Sequence, residues 1–345
     1  MRSRRSCLSV PGSSSRMLAK APTLPADEVF FDLEDSVAPR AKEAARANVR
    51  KAFAEGAWAG KTVGLRINGV ATRWCYRDVI EVVEPLLQAG PLARLEQGLD
   101  VIIVPKVEQA ADLVFVDRLL TMIEETARQA PGPDGAPQMQ GAGPLQPGRI
   151  GLEAQIETAA GLRNIHEIAH ASPRLEALVF GPADMSASLG LPATTGGVSV
   201  EGYPGDHWHW VLETILVAAR EAGLDAVDGP YLRIEDLDGF RASAVRARAL
   251  GYDGKWALHP TQIGVLNEVF TPAQEEFDRA TAMLEAYEHA TEVEGRGAVM
   301  FGDEMIDEAS RKMASRLAAR GRAAGLQPSR TWADVQAERA EGGSA

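Results

Sequence analysis

Eight short apolar segments rich in β-forming residues recur along the chain, and amphipathic helical segments separate them. Alternating strand and helix patterns favour a parallel sheet, because a helical crossover is the usual connection between parallel strands. Eight such units predict an α/β fold in the form of a (β/α)8 (TIM) barrel, although a doubly wound sheet gives a similar pattern. The predicted strands are 6–10, 29–33, 62–67, 101–105, 150–156, 176–180, 225–228 and 255–258. The predicted helical segments are 40–54, 76–89, 108–128, 158–171, 208–222 and 236–250.

The chain is longer than such a barrel requires. Barrels of this kind commonly occupy about 250 residues, whereas this chain has 345. Residues 1–270 are predicted to form the barrel, and 271–325 a C-terminal helical extension with helices at about 272–291 and 304–323. The last residues, 326–345, are predicted to be a weakly ordered tail. The proline- and glycine-rich segment 130–149 is predicted to be a surface loop.

Composition excludes several classes of function. A net charge of −12 argues against general nucleic-acid binding, which needs a basic surface. No stretch approaches the roughly 18 uncharged residues of a membrane helix, so we expect no membrane insertion. Arg4 and Arg5 lack the following apolar segment of an export signal. With only Cys7 and Cys75, a disulfide scaffold is excluded, and a reducing cytoplasm is the expected location.

Charged and polar residues follow the predicted strands, at the end where barrel active sites lie. Glu157 follows the fifth strand and Asp184 the sixth. Mg²⁺ is typically held by one or two carboxylates with water or substrate completing the shell, so this pair is a candidate open metal site. Each carboxylate alone could equally serve as a helix cap. The full set at this rim is Asp32, Glu34, Asp35, Arg66, Asn68, Lys106, Glu108, Glu157, Asp184, Asp228 and His259.

Two cationic residues of this set have alternative interpretations. Arg66 can hold an anionic ligand bidentately or stabilise an enolate, and it can also pair with Asp32 or Glu34 across the rim. Lys106 could be the Schiff-base lysine of a metal-free aldolase, which requires a depressed pKa. The nearby Glu108 would keep Lys106 charged, which disfavours that interpretation.

The sequence HWHW at residues 207–210 could suggest a two-histidine metal site. Histidines spaced i and i+2 do not share a helix face, so such a site is disfavoured. We expect a helix to start here, with Asp206 as its N-cap and with Trp208 and Trp210 packed against the protein. His259 could reach the rim or could bond the strand-8 backbone.

Dispersed motifs give the chain a family resemblance from about residue 6 to 323. They are VPGSSSRMLAKA (10–21), VFFDLEDSVAPRAKEAARANV (29–49), LRINGVATRWCYRDV (65–79), VPKVEQAAD (104–112), AQIETAAGL (154–162), FGPADMSASLG (180–190), VDGPY (227–231) and GKWALHPTQIGVLNEVFTP (254–272). With these motifs the chain resembles the HpcH/HpaI aldolase and citrate lyase β-subunit family. Within that family it is most similar to the malyl-CoA and β-methylmalyl-CoA lyases.

The resemblance implies roles for particular residues. It implies that Glu157 and Asp184 bind Mg²⁺ (Mn²⁺ being an alternative), and that Arg66 contacts the reacting carbonyl groups. It also implies that Lys20 helps to bind coenzyme A. Asp307 would transfer a proton. A neighbouring subunit of a trimer or a dimer of trimers would contribute this residue, and the C-terminal helices would form a lid.

Other residues of this set depart from the family pattern or have a second interpretation. Relatives often carry an arginine where this chain has Ser14, and Arg16 is the alternative for that phosphate contact. Pro260 is assigned to the same coenzyme A-binding set. Asp307 lies among acidic residues that a helix N-terminus favours in any case. Three carboxylates, Asp32, Glu34 and Asp35, are expected to orient Arg66.

The function implied by the resemblance is Mg²⁺-dependent, reversible cleavage of malyl-CoA or β-methylmalyl-CoA. The products would be glyoxylate and acetyl-CoA or propionyl-CoA. Three alternatives remain open: hydrolysis of the malyl-CoA thioester, a citramalyl-CoA or citrate lyase β-subunit activity, and a non-catalytic effector-binding barrel. Self-association is expected, without nucleic-acid or membrane partners.

Overall fold

Residues 2–88, 98–129, 150–192 and 202–334 are described in the computed structural model. They form two compact units, one spanning Arg2–Glu268 and the other starting at Val269. The predicted loop at 130–149 lies outside the described residues, and so does the 335–345 part of the predicted tail.

The first unit is a closed barrel of eight parallel strands in sequence order, with β8 paired to β1. This confirms the predicted (β/α)8 fold and excludes a doubly wound sheet, which has open edges. Every predicted strand lies within one residue of the observed bounds at each end. The strands are β1 Ser6–Pro11, β2 Glu28–Asp32, β3 Thr62–Arg66, β4 Val101–Val104, β5 Gly151–Ile156, β6 Leu175–Phe180, β7 Asp225–Asp228 and β8 Gly254–Ala257.

Helices follow the strands of the barrel. The segment predicted as one helix at 158–171 forms two short helices, which meet at Asn164. No helix among the described residues is long and apolar enough to cross a membrane. The barrel helices are α1 Ser15–Lys20, α2 Lys42–Glu55, α3 Cys75–Gln88, α4 Ala110–Gln129, α5 Ala159–Arg163, α6 Ile165–Ala169, α7 Pro182–Leu189, α8 His209–Glu221, α9 Leu237–Leu250 and α10 Pro260–Phe270.

Local sequence signals fix several helix ends. Thr158 caps α5 by accepting a hydrogen bond from the Gly161 N–H, and Asp236 caps α9 in the same way from Gly239. Helix α9 ends at Gly251, whose φ of 113° lies in the left-handed region that glycine adopts readily. Because all eight strands are parallel, the loops that follow them lie together at one end of the barrel.

The start of α8 differs from the prediction. The helix begins at His209, and Trp208 rather than Asp206 occupies the N-cap position. Asp206 instead accepts a hydrogen bond from the Trp208 N–H at 3.0 Å. Trp208 is buried against Phe180, whereas Trp210 is 68% exposed and does not pack as predicted, because it lies on the solvent face of the helix.

The barrel interior is layered. Inward-facing side chains alternate along each strand, and an apolar middle layer contains Cys7, Phe30, Ile103, Ala177, Val179, Val227 and Trp256. A charged network lies towards the amino ends of the strands. There Arg4 contacts Glu153 at 2.7 Å, Glu176 at 2.7 Å and Asp225 at 2.9 Å. We call this network, with Glu28 at 3.5 Å from Arg4, the barrel floor.

The second unit contains two helices and a hairpin: α11 Gln274–Glu292, β9 Val299–Phe301, β10 Glu304–Ile306 and α12 Glu308–Ala323. The predicted helix at 304–323 is therefore wrong in its first residues, which pair antiparallel with β9. Phe301 and Ile306 turn inward onto Tyr287 of α11, and this burial holds 304–306 in the sheet. From the described part of the tail, Trp332 packs against the same cluster.

Candidate functional site

Arg66, the last residue of β3, is held rigidly at the carboxyl end of the barrel. Its Nε and Nη2 donate to the two oxygens of Asp32, at 2.7 and 2.8 Å. Strands β2 and β3 place these residues opposite each other, so the bidentate pair follows from the register. The guanidinium also lies 5.3 Å from the centre of the Trp256 ring. The predicted pairing of Arg66 with Asp32 is present.

The ion pair between Arg66 and Asp32 shifts the pKa values of both groups so that each stays charged. Burial raises the pKa of Asp32, but the charge of Arg66 and hydrogen bonds from Arg66, Ser36 and Glu34 lower it further, to about 2. The pKa of Arg66 is raised above its ordinary value by Asp32 and Glu34, against the effect of burial. The Nη1 atom makes longer contacts, 3.3 Å to Glu34 and 3.5 Å to Gln155. This nitrogen is therefore the donor that a ligand could engage.

Glu157 lies just beyond β5 and is almost fully buried. Its Oε1 accepts from the Lys106 backbone N–H at 2.8 Å, and its Oε2 from the Gln155 side-chain amide at 2.5 Å. Burial and the nearby Asp184 raise the pKa of Glu157 to about 8, although Lys106 and Arg66 act in the opposite direction. A Cβ at Gly181 would lie 2.4 Å from Glu157 Cβ, an atom that a change of rotamer does not move, so a larger residue where β6 ends would displace Glu157.

Asp184 comes from the neighbouring strand connection, in the first turn of α7. A carboxylate is favourable there because it faces the positive end of the helix dipole. Its side chain is 35% exposed, and its Oδ2 lies 3.4 Å from Lys106 Nζ. Because β5 and β6 are adjacent in the barrel, Glu157 and Asp184 lie at the same rim, as predicted.

Lys106 connects the carboxylates of this rim. Its ammonium bonds Glu34, lies 3.5 Å from Asp35 Oδ2, and also contacts Asp184. Burial lowers the pKa of Lys106, but the hydrogen bond to Glu34 and the surrounding carboxylates raise it above its ordinary value. A Schiff-base lysine needs a depressed pKa, so the metal-free aldolase alternative is not supported.

The residues of this rim fit an open Mg²⁺ site. Glu157 and Asp184 offer hard oxygen donors, and the raised pKa of Glu157 reflects a buried carboxylate that lacks sufficient positive charge. Among the described residues, no group of three or more His, Cys, Asp or Glu side chains is arranged to hold a metal. Two carboxylates suit a cation that takes two protein ligands and completes its shell with water or substrate.

The predicted coenzyme A residues lie on elements that follow adjacent strands. Ser14 caps α1, although its Oγ accepts from Met17 N at a long 3.4 Å, and Arg16 and Lys20 are exposed on that helix. Pro260 starts α10 after β8, which pairs with β1. All four residues thus follow the carboxyl ends of neighbouring strands, where an anionic cofactor could reach two basic side chains.

Other predicted rim residues are engaged elsewhere. Asp228 was expected at the rim but pairs with the buried Lys255 at 2.7 Å. His259 Nδ1 lies 2.9 Å from the Thr261 hydroxyl and does not bond the β8 backbone through its ring. Asp307 belongs to the second unit, where it caps α12 by accepting from the Ala309 and Ser310 N–H groups. The local alternative for Asp307, a helix N-terminus, is therefore present.

Three residues of the site escaped sequence reasoning. Gln155 lies between Arg66 and Glu157, and its signal is the two-residue spacing from Glu157, which puts both on one strand face. Trp256 in β8 also faces the barrel interior, as alternate residues of a strand do, and contacts Arg66 there. Lys42 donates to the Leu33 and Glu34 carbonyls and so holds the loop after β2, but nothing in the sequence distinguishes it from an ordinary surface lysine.

The fold and the rim define the class of this protein: a (β/α)8 barrel with an anchored arginine and two acidic side chains at the carboxyl ends of its strands. Its sequence matches the model of the HpcH/HpaI aldolase/citrate lyase family over residues 5–260. The chain belongs to this family of aldolases and lyases.

Several relatives cover nearly the whole chain. The L-malyl-CoA/β-methylmalyl-CoA lyase of Rhodobacter capsulatus is 39% identical over 313 residues, covering 88% of this chain and 90% of that protein. The citrate lyase subunit beta of Escherichia coli is 32% identical over 306 residues, with 89% of each chain covered. The solved structure of CitE from Mycobacterium tuberculosis, in complex with magnesium, acetoacetate and coenzyme A, superimposes with a TM-score of 0.64 at 26% identity. It covers 92% of this chain and 97% of that one.

Proposed function

We propose that the protein is a Mg²⁺-dependent CoA-ester lyase that reversibly cleaves malyl-CoA or β-methylmalyl-CoA. The products are glyoxylate and acetyl-CoA or propionyl-CoA. One observation carries the proposal: the anchored Arg66 shares a rim with the acidic residues Glu157 and Asp184. The 39% sequence identity with a malyl-CoA/β-methylmalyl-CoA lyase supports the proposal. The magnesium and coenzyme A in the CitE structure support it as well.

Each residue of the rim then has a chemical task. Glu157 and Asp184 would hold Mg²⁺, which when bound would supply Lewis-acid polarisation and a template for the oxygens of the oxo acid. Arg66 donates from Nη1 to the thioester carbonyl oxygen, which becomes negatively charged as the C–C bond breaks. Because Asp32 already fixes the guanidinium, little reorganisation is needed, and such stabilisation is worth about 3–4 kcal/mol.

A proton must be exchanged at the α-carbon of the released acyl-CoA. In cleavage the substrate hydroxyl loses its proton as the C–C bond breaks and the C=O bond of glyoxylate forms, and the enolate carbon gains a proton; condensation runs the same transfers in reverse. We assign the transfer at the α-carbon to Asp307, whose carboxylate takes up the proton released from the hydroxyl, by way of solvent, and passes it to the enolate carbon. Hydrogen bonds from the Ser310 and Ala309 backbone N–H groups lower the pKa of Asp307. These bonds favour the ionised carboxylate, so Asp307 is suited to act as a base in condensation.

Asp307 reaches the site from a second copy of the chain, in a trimer or a dimer of trimers. The family resemblance is the basis of this assignment. The hairpin that precedes Asp307 supports it, because Met300 and Met305 lie opposite each other and are 60% and 66% exposed. Adjacent exposed methionines form an adaptable apolar surface of the kind found at protein contacts.

A cytoplasmic location fits this function. Cys7 and Cys75 are both free and buried, as expected for a protein that folds in a reducing compartment. We propose no nucleic-acid or membrane partner for the chain.

A product assay tests the proposed reaction. With saturating Mg²⁺ and malyl-CoA, the purified protein should release glyoxylate and acetyl-CoA in equal amounts, measured by chromatography. Glu157→Ala should reduce turnover below detection without changing the far-UV circular dichroism, because a metal ligand is lost. The matched control Glu108→Ala, which removes an exposed rim carboxylate after β4, should retain activity.

Two outcomes would contradict the proposal. Free coenzyme A and malate without glyoxylate would identify a thioesterase instead of a lyase. Full activity of Glu157→Ala would exclude Glu157 as a metal ligand. Running β-methylmalyl-CoA and citramalyl-CoA in parallel identifies the preferred acyl chain.

A further inference from the structure

Lys106 contacts the rim carboxylates through two different groups. Its ammonium bonds Glu34 and lies 3.4 Å from Asp184 Oδ2 and 3.5 Å from Asp35 Oδ2. Its backbone N–H donates to Glu157 Oε1 at 2.8 Å. One residue thus touches both of the proposed metal ligands, and its side chain carries the positive charge next to Asp184.

The backbone of Lys106 is in a conformation that its residue type disfavours. Its φ is 53°, and among the described residues it is the only non-glycine residue with a positive φ. The left-handed region costs an L-residue with a Cβ roughly 1 kcal/mol or more. Such strain persists only where surrounding contacts hold it, and here both the N–H and the ammonium are bonded to carboxylates.

We propose that Lys106 is a tethered counter-ion that competes with the divalent cation for Asp184. Without metal, its ammonium offsets the repulsion among Glu34, Asp35 and Asp184. A divalent cation at Asp184 repels the ammonium, which withdraws to Glu34 and Asp35. Lys106 therefore weakens divalent-cation binding while it keeps the metal-free rim assembled. The inference rests on the proposed metal site at Glu157 and Asp184.

The test is a direct titration of metal alone, without substrate. Isothermal calorimetry with Mg²⁺, and electron paramagnetic resonance with Mn²⁺, should show about three- to tenfold tighter binding to Lys106→Met than to the natural chain. Lys106→Arg keeps the charge and should bind metal as the natural chain does. The control Lys51→Met removes an exposed charge from α2 and should leave the affinity unchanged.

A second variant covers the possibility that Lys106→Met misfolds. Lys106→Gly also removes the ammonium, but glycine adopts a φ of 53° without strain, so it should fold and bind metal more tightly. Unchanged or weaker binding by Lys106→Gly overturns the inference. If instead the natural chain shows no saturable binding, or Asp184→Ala binds equally well, it is the proposed metal site that fails.

Discussion

At the residue scale, the pair of Arg66 and Asp32 combines stability with chemistry. Both side chains are buried, and removing one partner of a buried pair leaves an uncompensated charge. In the proposed function, the same pair orients the guanidinium for the reacting carbonyl. The Trp256 ring lies 5.3 Å from the guanidinium, and Nη1 is the nitrogen with the longer contacts, to Glu34 and Gln155.

Asp32→Asn should therefore affect stability and turnover together. We expect the free energy of unfolding to fall by about 3–5 kcal/mol at pH 7, and turnover to fall with it because Arg66 loses its bidentate anchor. Glu268→Gln is the matched control, since it breaks an exposed bond to Arg241 and should cost less than about 1 kcal/mol. Urea unfolding and the product assay measure both effects. Equal losses in the two variants would contradict this account.

The pair also predicts a pH dependence. The pKa of Asp32 is about 2 in the folded chain against an ordinary value of 3.8. The depressed pKa contributes stability that is complete above pH 3.8 and is lost as the pH falls through 2, about 2–3 kcal/mol in total. Between pH 4 and pH 2, the natural chain should thus lose more unfolding free energy than Asp32→Asn does. If the free energies of unfolding of the two proteins fell in parallel over this pH range, Asp32 would not make the predicted contribution.

At the element scale, the position of α5 depends on a close backbone approach. Gly161 lies in this helix, and a Cβ there would come within 2.3 Å of the Val107 carbonyl oxygen. Val107 follows Lys106, so α5 packs directly on the loop that carries the rim lysine. Gly264 in α10 is also helical, yet a Cβ there would meet no atom within 4 Å.

The same substitution should consequently have opposite effects at the two glycines. Gly264→Ala should stabilise the protein by up to about 1 kcal/mol, because alanine is the better helix former. Gly161→Ala gains the same propensity but must displace the helix from a backbone oxygen, so we expect a net loss of about 1–3 kcal/mol. The midpoints of urea unfolding of the two variants and of the natural chain measure both effects. Stabilisation by both substitutions would mean that α5 can move without cost.

At the scale of the whole molecule, the proposed function takes Asp307 from another subunit, and mixed assemblies test this. Glu157→Ala and Asp307→Ala should each be inactive alone. When the two are mixed in equal amounts, unfolded and refolded together, about a quarter of the sites receive an intact pair from two different chains. Activity should recover to about that fraction. No recovery, with mixed assemblies confirmed by mass spectrometry, would place Asp307 and Glu157 of one chain in the same site.

The strands and helices of the barrel were predictable because each strand shows an apolar run and each helix a periodic one, whereas eight such units do not by themselves distinguish a closed barrel from a doubly wound sheet. The rim acids were predictable from their place after the strands. The hairpin at 299–306 was not, since two three-residue strands are too short for a pattern and are held by packing onto Tyr287. Partners such as Asp228 with Lys255 depend on three-dimensional neighbours that spacing does not reveal.

The barrel floor has a consequence for how the chain is made. Arg4 leaves the ribosome well before its partner Asp225, which lies 221 positions later. At typical synthesis rates the arginine waits on the order of 10–40 s for that partner. Until β7 is synthesised, Arg4 lacks one of its carboxylate partners, Asp225. Closure of the floor is therefore a late, long-range step of folding.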